Sequence, residues 1–265
     1  MDQDTRTEAS RALLDALRAR QPIQPLSESY PGINIDDAYE IQLIGVRTEI
    51  ESGRVVRGHK VGLTSQAMQT MLGVHEPDYG HLFDNMFFPE GSSVSIELFL
   101  QPRVEIEVAF VLGERLAGPG VTVADVLRAT DFVCPSIEII DSRIVDWKIT
   151  LADTIADNGS SAGVVLGGRR TRLDGLDLRT IGTVLRRNGS IVETGASGAV
   201  LGNPANAVAW LANKVAAFGV ALEPGHVILP GACTRAVDVE GGDVFRADFD
   251  GLGHVSIAFP REATE

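Results

Sequence analysis

The ten-residue segment from Arg103 to Leu112 alternates apolar residues with polar or small residues over its whole length. Alternation with a period of two is typical of a β-strand whose faces meet different environments. The side chains of Glu105 and Glu107 therefore point to one face, about 6–7 Å apart along the strand. Because that face continues with Ala109 and Val111, the two acids are unfavourable there unless something neutralises them.

The residues alone leave two interpretations of this glutamate pair open. Most Glu-x-Glu pairs in strands mark the solvated side of an antiparallel sheet and bind no ligand. The alternative is a divalent-cation site, since carboxylate oxygens suit such ions. A third acid, Glu138, favours the metal site because it lies among isoleucines in the next strand-like run, 136–141.

The overall charge restricts the partners of the chain. The 265 residues carry a net charge of −13, which argues against nucleic acid and against anionic membrane surfaces. An acidic protein that handles an anionic substrate must gather positive charge locally, from a metal or from placed lysines and arginines. Of only three lysines, Lys60 lies between Gly58 and Gly62, where the backbone permits the close approach of a ligand.

The sequence contains no pattern typical of export or of membrane insertion. The acidic N-terminus leads into an amphipathic helix, and no apolar run reaches the ~18 residues of a membrane span. Neither Cys134 nor Cys233 has a CxxC partner, and Cys134 lies in an apolar run typical of a small buried side chain. We expect a cytoplasmic protein without disulfides.

Hydrophobic periodicity divides the chain into a helical part and a β-rich part. It predicts helices at 5–20, 36–52 and 66–72, and further helices that begin at the caps Thr122 and Asn203. Further strands are predicted at 161–166, 183–187, 190–194, 226–229, 235–239, 244–249 and 254–259. The pattern predicts an α+β fold with a helical N-terminal region over residues 1–75 and a β-rich catalytic domain over residues 76–265.

Four further clusters carry residue types that are suited to chemistry. They are Gly58–Ser65 around Lys60, the segment 76–83 with Asp78, Tyr79 and His81, the acidic segment 146–158, and the loop 230–235. Each has a plain structural alternative: a strand corner with a solvated lysine, a turn-containing loop, a solvated charged turn, and a simple connection. For most acids of 146–158 we favour the solvated turn.

Taken in order, these motifs resemble the 2-hydroxypenta-2,4-dienoate hydratase family, related to oxalocrotonate decarboxylase and oxoheptenedioate hydratase within the fumarylacetoacetase superfamily. The matching segments are Lys60-Val-Gly-Leu-Thr-Ser, Glu76-Pro-Asp-Tyr-Gly, Pro102-Arg-x-Glu-x-Glu, Glu138-x-x-Asp-Ser-Arg and Ala156-Asp-Asn. The resemblance covers about residues 30 to 260. It implies a fumarylacetoacetase-like core, a mixed β-sheet or barrel, behind a smaller helical N-terminal region.

The resemblance also implies a metal ion and roles for individual residues. The ion is Mg²⁺ or Mn²⁺, and its ligands map to Glu105, Glu107 and Glu138. Lys60 and Asp78 match the catalytic lysine and aspartate of the family. Positions near the substrate map to Thr64, Ser65, Lys148, Ser161 and Thr234. A divalent cation beside the lysine is expected to disfavour the ammonium form and so to lower its pKa.

The implied activity is metal-dependent hydration of 2-hydroxypenta-2,4-dienoate, or a substituted analogue, to a 4-hydroxy-2-oxoacid in meta-cleavage aromatic catabolism. Two alternatives stay open: a metal-dependent 4-oxalocrotonate-type decarboxylase, and a non-catalytic partner subunit of a hydratase–decarboxylase complex. The flank His59-Lys-Val-Gly leans toward the hydratases, and the intact acids and lysine argue against a lost activity. The resemblance further implies a homo-oligomer, with a pathway aldolase or decarboxylase as a candidate partner.

Overall fold

Residues 1–65, 69–70, 74 and 76–261 are described by the structure, which is a computed structural model. The helices are α1 (Gln3–Ala19), α2 (Leu26–Ser29), α3 (Ile35–Glu51), α4 (Val123–Ala129), α5 (Leu151–Ala156) and α6 (Pro204–Ala216). The strands are β1 (Val56–Gly62), β2 (Asp78–Phe83), β3 (Phe87–Phe88), β4 (Arg103–Leu112), β5 (Thr130–Ile140), β6 (Ser161–Leu166), β7 (Gly182–Arg187), β8 (Ser190–Ala196), β9 (Val227–Leu229), β10 (Val237–Asp238), β11 (Asp243–Phe249) and β12 (Gly253–Phe259). The predicted helix at 66–72 lies mostly outside the described residues.

The helices begin at side chains that accept backbone hydrogen bonds. Asn34 caps α3 in a capping box with Asp37, and Thr122 caps α4 in the same way with Asp125. Asn203 caps α6, and Pro204 occupies its first position. The predicted long helices at both ends of the chain are confirmed, with boundaries that differ by one to three residues. None of the described helices has both the length and the hydropathy to cross a bilayer.

The larger sheet carries eight strands in the order β2-β1-β9-β4-β5-β6-β3, with β10 paired to β4. It is mixed: β1 pairs with β9 in parallel, whereas β4 pairs with β5 and with β9 antiparallel. The sheet curls, so that β2 also contacts β6 across its inner face. Its outer face packs against the helices and the second sheet in the main hydrophobic core.

A smaller antiparallel sheet has the order β12-β11-β7-β8. Asn188 and Gly189 join β7 to β8 with φ angles of 53° and 85°, the left-handed conformation that an Asn-Gly hairpin turn requires. The predicted hairpin is confirmed. Together with the helical N-terminal part, the two sheets confirm the predicted α+β class.

Two expectations about local structure are corrected. The segment around Asp78 was expected to be a turn-containing loop, but Asp78–Phe83 is a fully buried strand that pairs with β1. Gly80 permits this, because a Cβ there would lie 2.2 Å from the carbonyl oxygen of Asn158. The strand expected at 136–141 begins six residues earlier, at Thr130. Strand β1 lies inside the predicted helical region and pairs with β9, while the boundary at residue 75 stays a prediction.

Candidate metal and catalytic site

Three carboxylates meet on the inner face of the larger sheet. Antiparallel pairing of β4 with β5 sets Glu105 directly opposite Glu138, and Glu107 lies two residues further along β4. One carboxylate oxygen from each glutamate lies within 4.8 Å of the other two. Glu107 and Glu138 are buried, and Glu105 is half-buried at the open end of the cluster.

Most oxygens of the two buried glutamates have no hydrogen-bond partner among the described residues. Gly231 donates its backbone N–H to Oε2 of Glu107 at 2.6 Å, but Oε1 of Glu107 and both oxygens of Glu138 are unpaired. Buried acceptors without donors are costly, and buried like charges are more so. Hard divalent cations take carboxylate oxygens of this kind, so the residues present fit such an ion.

Burial and mutual repulsion raise the pKa values of the three carboxylates. Burial raises the pKa of Glu105 to about 7, against the opposing charge of Lys60. Burial, and then the charges of Glu138 and Glu105, raise the pKa of Glu107 well above its usual range. The pKa of Glu138 is raised for the same first reason. A cation that replaced these protons would remove the repulsion among the three groups.

Lys60 on β1 faces this cluster. Its Nζ donates to the carbonyl oxygen of Gly159 at 2.9 Å and lies 3.8 Å from Oε1 of Glu138. Burial alone would lower the lysine pKa, but the charges of Glu138, Asp78 and the other two glutamates outweigh burial and raise it. The lowered pKa expected from the sequence requires the charge of a cation and stays a prediction.

Asp78 on β2 lies close to Lys60, and Gly62 lies beside both side chains. A Cβ at Gly62 would lie 2.1 Å from Oδ1 of Asp78 and 3.2 Å from Nζ of Lys60, so only glycine leaves room for both. The hydroxyl of Thr154 donates to Oδ2 of Asp78 at 3.4 Å. Burial raises the pKa of Asp78, against the charge of Lys60. The carboxyl of Asp78 and the ammonium group of Lys60 therefore share one buried face with the three glutamates.

A left-handed turn holds the oxygen that anchors the lysine. Asn158, Gly159 and Ser160 all have positive φ angles, between 55° and 61°. The side chain of Asn158 fixes the turn to β2, because it accepts from the backbone N–H of His81 at 2.7 Å and donates to the His81 carbonyl at 2.9 Å. Non-glycine residues occupy this conformation rarely, so Asn158 and Ser160 are two strained positions located at the site.

Two of the five predicted substrate-binding residues lie at the cluster. Thr64 is buried against Gly231, the residue that donates to Glu107; a Cβ at Gly231 would lie 1.9 Å from its hydroxyl oxygen. Ser161 is buried on β6, and its hydroxyl lowers the pKa of Glu138 against the larger effect of burial.

The structure does not bring the other three predicted substrate-binding residues into the buried cluster. Lys148 is exposed, and its Nζ lies 3.2 Å from a carboxylate oxygen of Asp146. Thr234 is half-buried, and its hydroxyl donates to the carbonyl oxygen of Arg235 at 3.2 Å. Ser65 is half-buried, and its carbonyl oxygen accepts from the backbone N–H of Gln69 at 3.0 Å.

The solvated-turn interpretation of the acidic segment holds for Asp146 and is wrong for Asp153 and Asp157. Asp153 is buried because it caps α5 and also accepts from the backbone N–H of Ser27 at 2.9 Å. Asp157 is buried because it pairs with the guanidinium of Arg143, whose backbone N–H it also accepts at 2.9 Å. Both acids brace the segment that carries the left-handed turn.

Two histidines that the sequence analysis named without a catalytic or binding role are buried on the face of the sheet opposite Lys60. His59 and His81 pair across β1 and β2 with ring centroids 4.8 Å apart. Burial lowers the pKa of His81 to about 4 and also lowers that of His59. The only signal for these histidines in the sequence was the strand alternation around Lys60. For His81 this signal applies only once β2 is known to be a strand.

The chain is similar to a protein family and to individual proteins of known name. Residues 54–258 match the family model described as fumarylacetoacetate (FAA) hydrolase, C-terminal. The chain is 47% identical over 264 residues to 2-oxo-hept-4-ene-1,7-dioate hydratase of Escherichia coli, which covers 97% of this chain and 99% of that protein. It is 45% identical over 259 residues to 2-keto-4-pentenoate hydratase of Paraburkholderia xenovorans (strain LB400), over 98% and 96% of the two chains.

A solved structure has the same fold as this chain. The structure of 4-oxalocrotonate decarboxylase from Pseudomonas putida G7, complexed with magnesium and adipate, is similar to this chain with a TM-score of 0.95. The two sequences are 36% identical, and the match covers 98% of each chain. This chain therefore shares its fold with a decarboxylase and much of its sequence with two hydratases.

Proposed function

This chain belongs to the fumarylacetoacetate hydrolase family, and from that membership we propose that it is a hydro-lyase of the 2-keto-4-pentenoate hydratase type. Its substrate is 2-hydroxypenta-2,4-dienoate or a substituted analogue, and its product is a 4-hydroxy-2-oxoacid. The observation that supports this proposal most directly is the cluster of Glu105, Glu107 and Glu138, which faces Lys60 and Asp78. Identities of 45–47% to hydratases over almost the full chain support the reaction class.

We propose that the three glutamates hold a divalent cation, with Mg²⁺ as first choice and Mn²⁺ as the alternative. Their donor chemistry supports this, because all ligands are hard carboxylate oxygens and several lack any other partner. When bound, a divalent cation polarises the 2-oxo group of the substrate and stabilises the negative charge that develops on that oxygen. The magnesium in the related decarboxylase structure supports the same choice.

The reaction then requires two positioned proton transfers. Ketonisation moves the proton of the 2-hydroxyl group to C5 and leaves a C3=C4 double bond conjugated with the 2-oxo group. Water adds its hydroxyl to C4, and a proton is delivered to C3, so that one water molecule is consumed. We propose that Lys60 and Asp78 exchange these protons, and the room that Gly62 leaves for both side chains supports this proposal.

The surrounding residues position these two groups. The carbonyl oxygen of Gly159 holds the Lys60 ammonium, and Thr154 holds Asp78. We propose that the hydroxyls of Thr64 and Ser161 orient the substrate carboxylate and 2-oxo oxygen beside the glutamates. Ser65, Lys148 and Thr234 stay proposals for contacts with the outer part of the substrate.

One paired assay tests the proposed reaction. Purified protein with Mg²⁺ is expected to bleach the ultraviolet absorbance of 2-hydroxypenta-2,4-dienoate, or of a substituted analogue, without release of CO₂. Chelation by EDTA is expected to stop the reaction, and Mg²⁺ to restore it. The Lys60→Met and Asp78→Asn variants are expected to retain Mg²⁺ binding and to lose turnover.

The same assay separates the competing functions. Release of CO₂ from a 4-oxalocrotonate-type substrate would identify a decarboxylase instead. Inactivity toward all of these substrates until a second protein is added would identify a partner subunit. Size-exclusion chromatography with light scattering tests the proposed homo-oligomer, which is independent of the reaction assigned.

A further inference from the structure

We propose that Ser160 is a positioning residue for the reaction, because its hydroxyl orients Asp78 through the hydroxyl of Thr154. One left-handed turn then sets both proton-transfer groups, since the neighbouring carbonyl oxygen of Gly159 anchors Lys60. The inference rests on the proposed function, from which it takes the role of Asp78. It adds to that function a residue that acts only through another side chain.

The hydroxyl of Thr154 links Ser160 to Asp78. Its Oγ1 lies 3.4 Å from Oδ2 of Asp78 and 3.3 Å from Oγ of Ser160. A hydroxyl group has one proton to donate and can also accept, whereas an ionised carboxylate only accepts. Thr154 therefore donates to Asp78 and is left to accept from Ser160. The two hydroxyls form an ordered chain of donors that ends at the carboxylate.

The chain is buried, so water does not compete for its hydrogen bonds. Asp78, Thr154 and Ser160 are each at most 7% exposed, and neither hydroxyl has another partner within the described part of the chain. A hydrogen bond to an ionised acceptor is stronger than one between neutral groups. Burial raises the pKa of Asp78, whereas the charge of Lys60 and the hydrogen bond from Thr154 lower it. The hydroxyls thus stabilise the ionised carboxylate, the form that accepts a proton.

The two oxygens of Asp78 face different neighbours. Oδ1 turns toward Gly62 and Lys60, because a Cβ at Gly62 would lie 2.1 Å from Oδ1 and 3.2 Å from Nζ of the lysine. Oδ2 faces Thr154, and a hydrogen bond there restricts rotation of the carboxyl group. Hydrogen bonds of catalytic groups are often long before the substrate binds. Through Oδ2, the hydroxyls therefore keep Oδ1 on the side of the lysine.

The backbone of Ser160 is a second observation, independent of its hydroxyl. Its φ angle is 55°, in the left-handed region that glycine adopts without strain. A serine there costs free energy, and such residues persist where the surrounding structure holds them for a function. The preceding residue, Gly159, accepts from Nζ of Lys60 at 2.9 Å. The same turn thus reaches Lys60 directly and Asp78 through Thr154.

The test measures kcat and KM for the substrate that the wild type hydrates with Mg²⁺. Thr154→Val keeps the shape of the side chain without its hydroxyl, and is expected to lower kcat by about tenfold and to change KM by less than about twofold. Thr154→Ser retains the hydroxyl and is expected to keep kcat within about threefold of wild type. Ser160→Gly relieves the strained φ, so we expect a folded protein whose kcat is lowered by about threefold.

A double variant tests whether the two hydroxyls act in series. Because Ser160 acts only through Thr154, the variant with both Thr154→Val and Ser160→Gly is expected to have the kcat of Thr154→Val alone. The matched control is Thr183→Val in the smaller sheet. Thr183 is also buried, and its hydroxyl has no partner among the described residues, so kcat and KM are expected to stay unchanged.

Losses of the two single variants that multiply in the double variant would overturn the inference, because they would show independent effects. Wild-type kcat in Ser160→Gly would overturn it as well, and so would equal losses in Thr154→Ser and Thr154→Val, since the hydroxyls would then have no role. A wild type that hydrates none of the proposed substrates would instead refute the proposed function, so the two failures are distinct.

Discussion

Strands β4 and β11 have the same kind of sequence and opposite uses for their charges. Each alternates apolar residues with charged ones, Glu105 and Glu107 in β4 and Arg246 and Asp248 in β11. In β11 the charges face solvent as an ion pair of 2.8 Å. In β4 the charges are alike and crowd against Glu138.

The difference comes from what covers each face. The smaller sheet has one packed face and one solvated face, so its charges keep their water. The larger sheet is packed on its outer face and curls around its inner face, so the glutamates lose water, and among the described residues only Lys60 forms an ion pair with them. A structure accepts that cost where function requires it, and the predictions below test the contrast from the largest effect to the smallest.

The most decisive change is Glu107→Gln, which keeps the shape of the side chain and removes its charge. We expect Mg²⁺-dependent turnover to fall by at least about a hundredfold, because a ligand and a third of the negative charge are lost. Steady-state kinetics and magnesium titration by calorimetry measure the effect. The counterpart on β11, Asp248→Asn, is expected to keep turnover within about twofold of wild type. An equal loss of turnover in both variants would contradict the proposed difference between β4 and β11.

A smaller change tests the packing around the buried charges. Gly62→Ala adds a Cβ that would lie 2.1 Å from Oδ1 of Asp78, so the aspartate or the lysine must move. A displacement of this size is expected to lower kcat, by up to about a hundredfold. Gly182→Ala at the start of β7 is the control, because a Cβ there meets nothing within 4 Å. Full kcat in Gly62→Ala would contradict the assigned roles of Lys60 and Asp78.

The buried acids also predict a dependence of stability on pH. Burial raises the pKa of Glu105 from 4.5 to about 7, so the folded chain binds a proton there that the unfolded chain has lost. The free energy of unfolding of the metal-free protein is therefore expected to fall as pH rises from 4.5 to about 7 and then to level off, with Tm lower by roughly 1 °C at pH 7.5 than at pH 6.5 from this group alone. Differential scanning fluorimetry measures this change.

Two controls accompany the pH experiment. Glu105→Gln is expected to reduce the fall in Tm, since glutamine does not titrate, and to leave the part that is due to Glu107 and Glu138, whose pKa values are also raised. Saturating Mg²⁺ is expected to reverse the trend, because it binds the ionised carboxylates that form at higher pH. A Tm that rises from pH 6.5 to 7.5 without Mg²⁺ would contradict the raised pKa of Glu105.

The smallest expected effect concerns the solvated strand. Asp248→Asn removes the partner of Arg246 and also of Arg186, whose Nε lies 3.5 Å from Asp248. Exposed pairs contribute little, so the free energy of unfolding is expected to change by less than about 0.5 kcal/mol. Urea denaturation measures it. A loss above about 2 kcal/mol would show that these charges are not simply solvated.

Local patterns in the sequence were sufficient to predict most helices and strands of the fold. The alternation of 103–112 predicted β4 with the observed bounds, and the Asn-Gly pair predicted the β7–β8 hairpin. Caps at Thr122 and Asn203 located two helices. These signals are local, because a hydrogen bond to a helix end or a positive φ in a turn depends on a few neighbouring residues.

The sequence failed where a residue depends on a distant partner. Asp78 was expected in a turn because of its Pro-Asp and Tyr-Gly neighbours, but pairing with β1 makes it part of a strand. Asp153 and Asp157 were expected in solvent, but they bind Ser27 and Arg143. Nothing in the local sequence reveals these partners.

For the candidate site, the sequence by itself determined the composition: two glutamates on one strand face, a third acid in the next strand, and a lysine between glycines. Only the tertiary structure decided that the face is enclosed, that Glu138 stands opposite Glu105, and that Gly62 brings Asp78 beside Lys60. The physical reason is that alternation fixes which side chains share a face. Whether that face meets water or protein depends on the curl of the sheet and on strands distant in sequence.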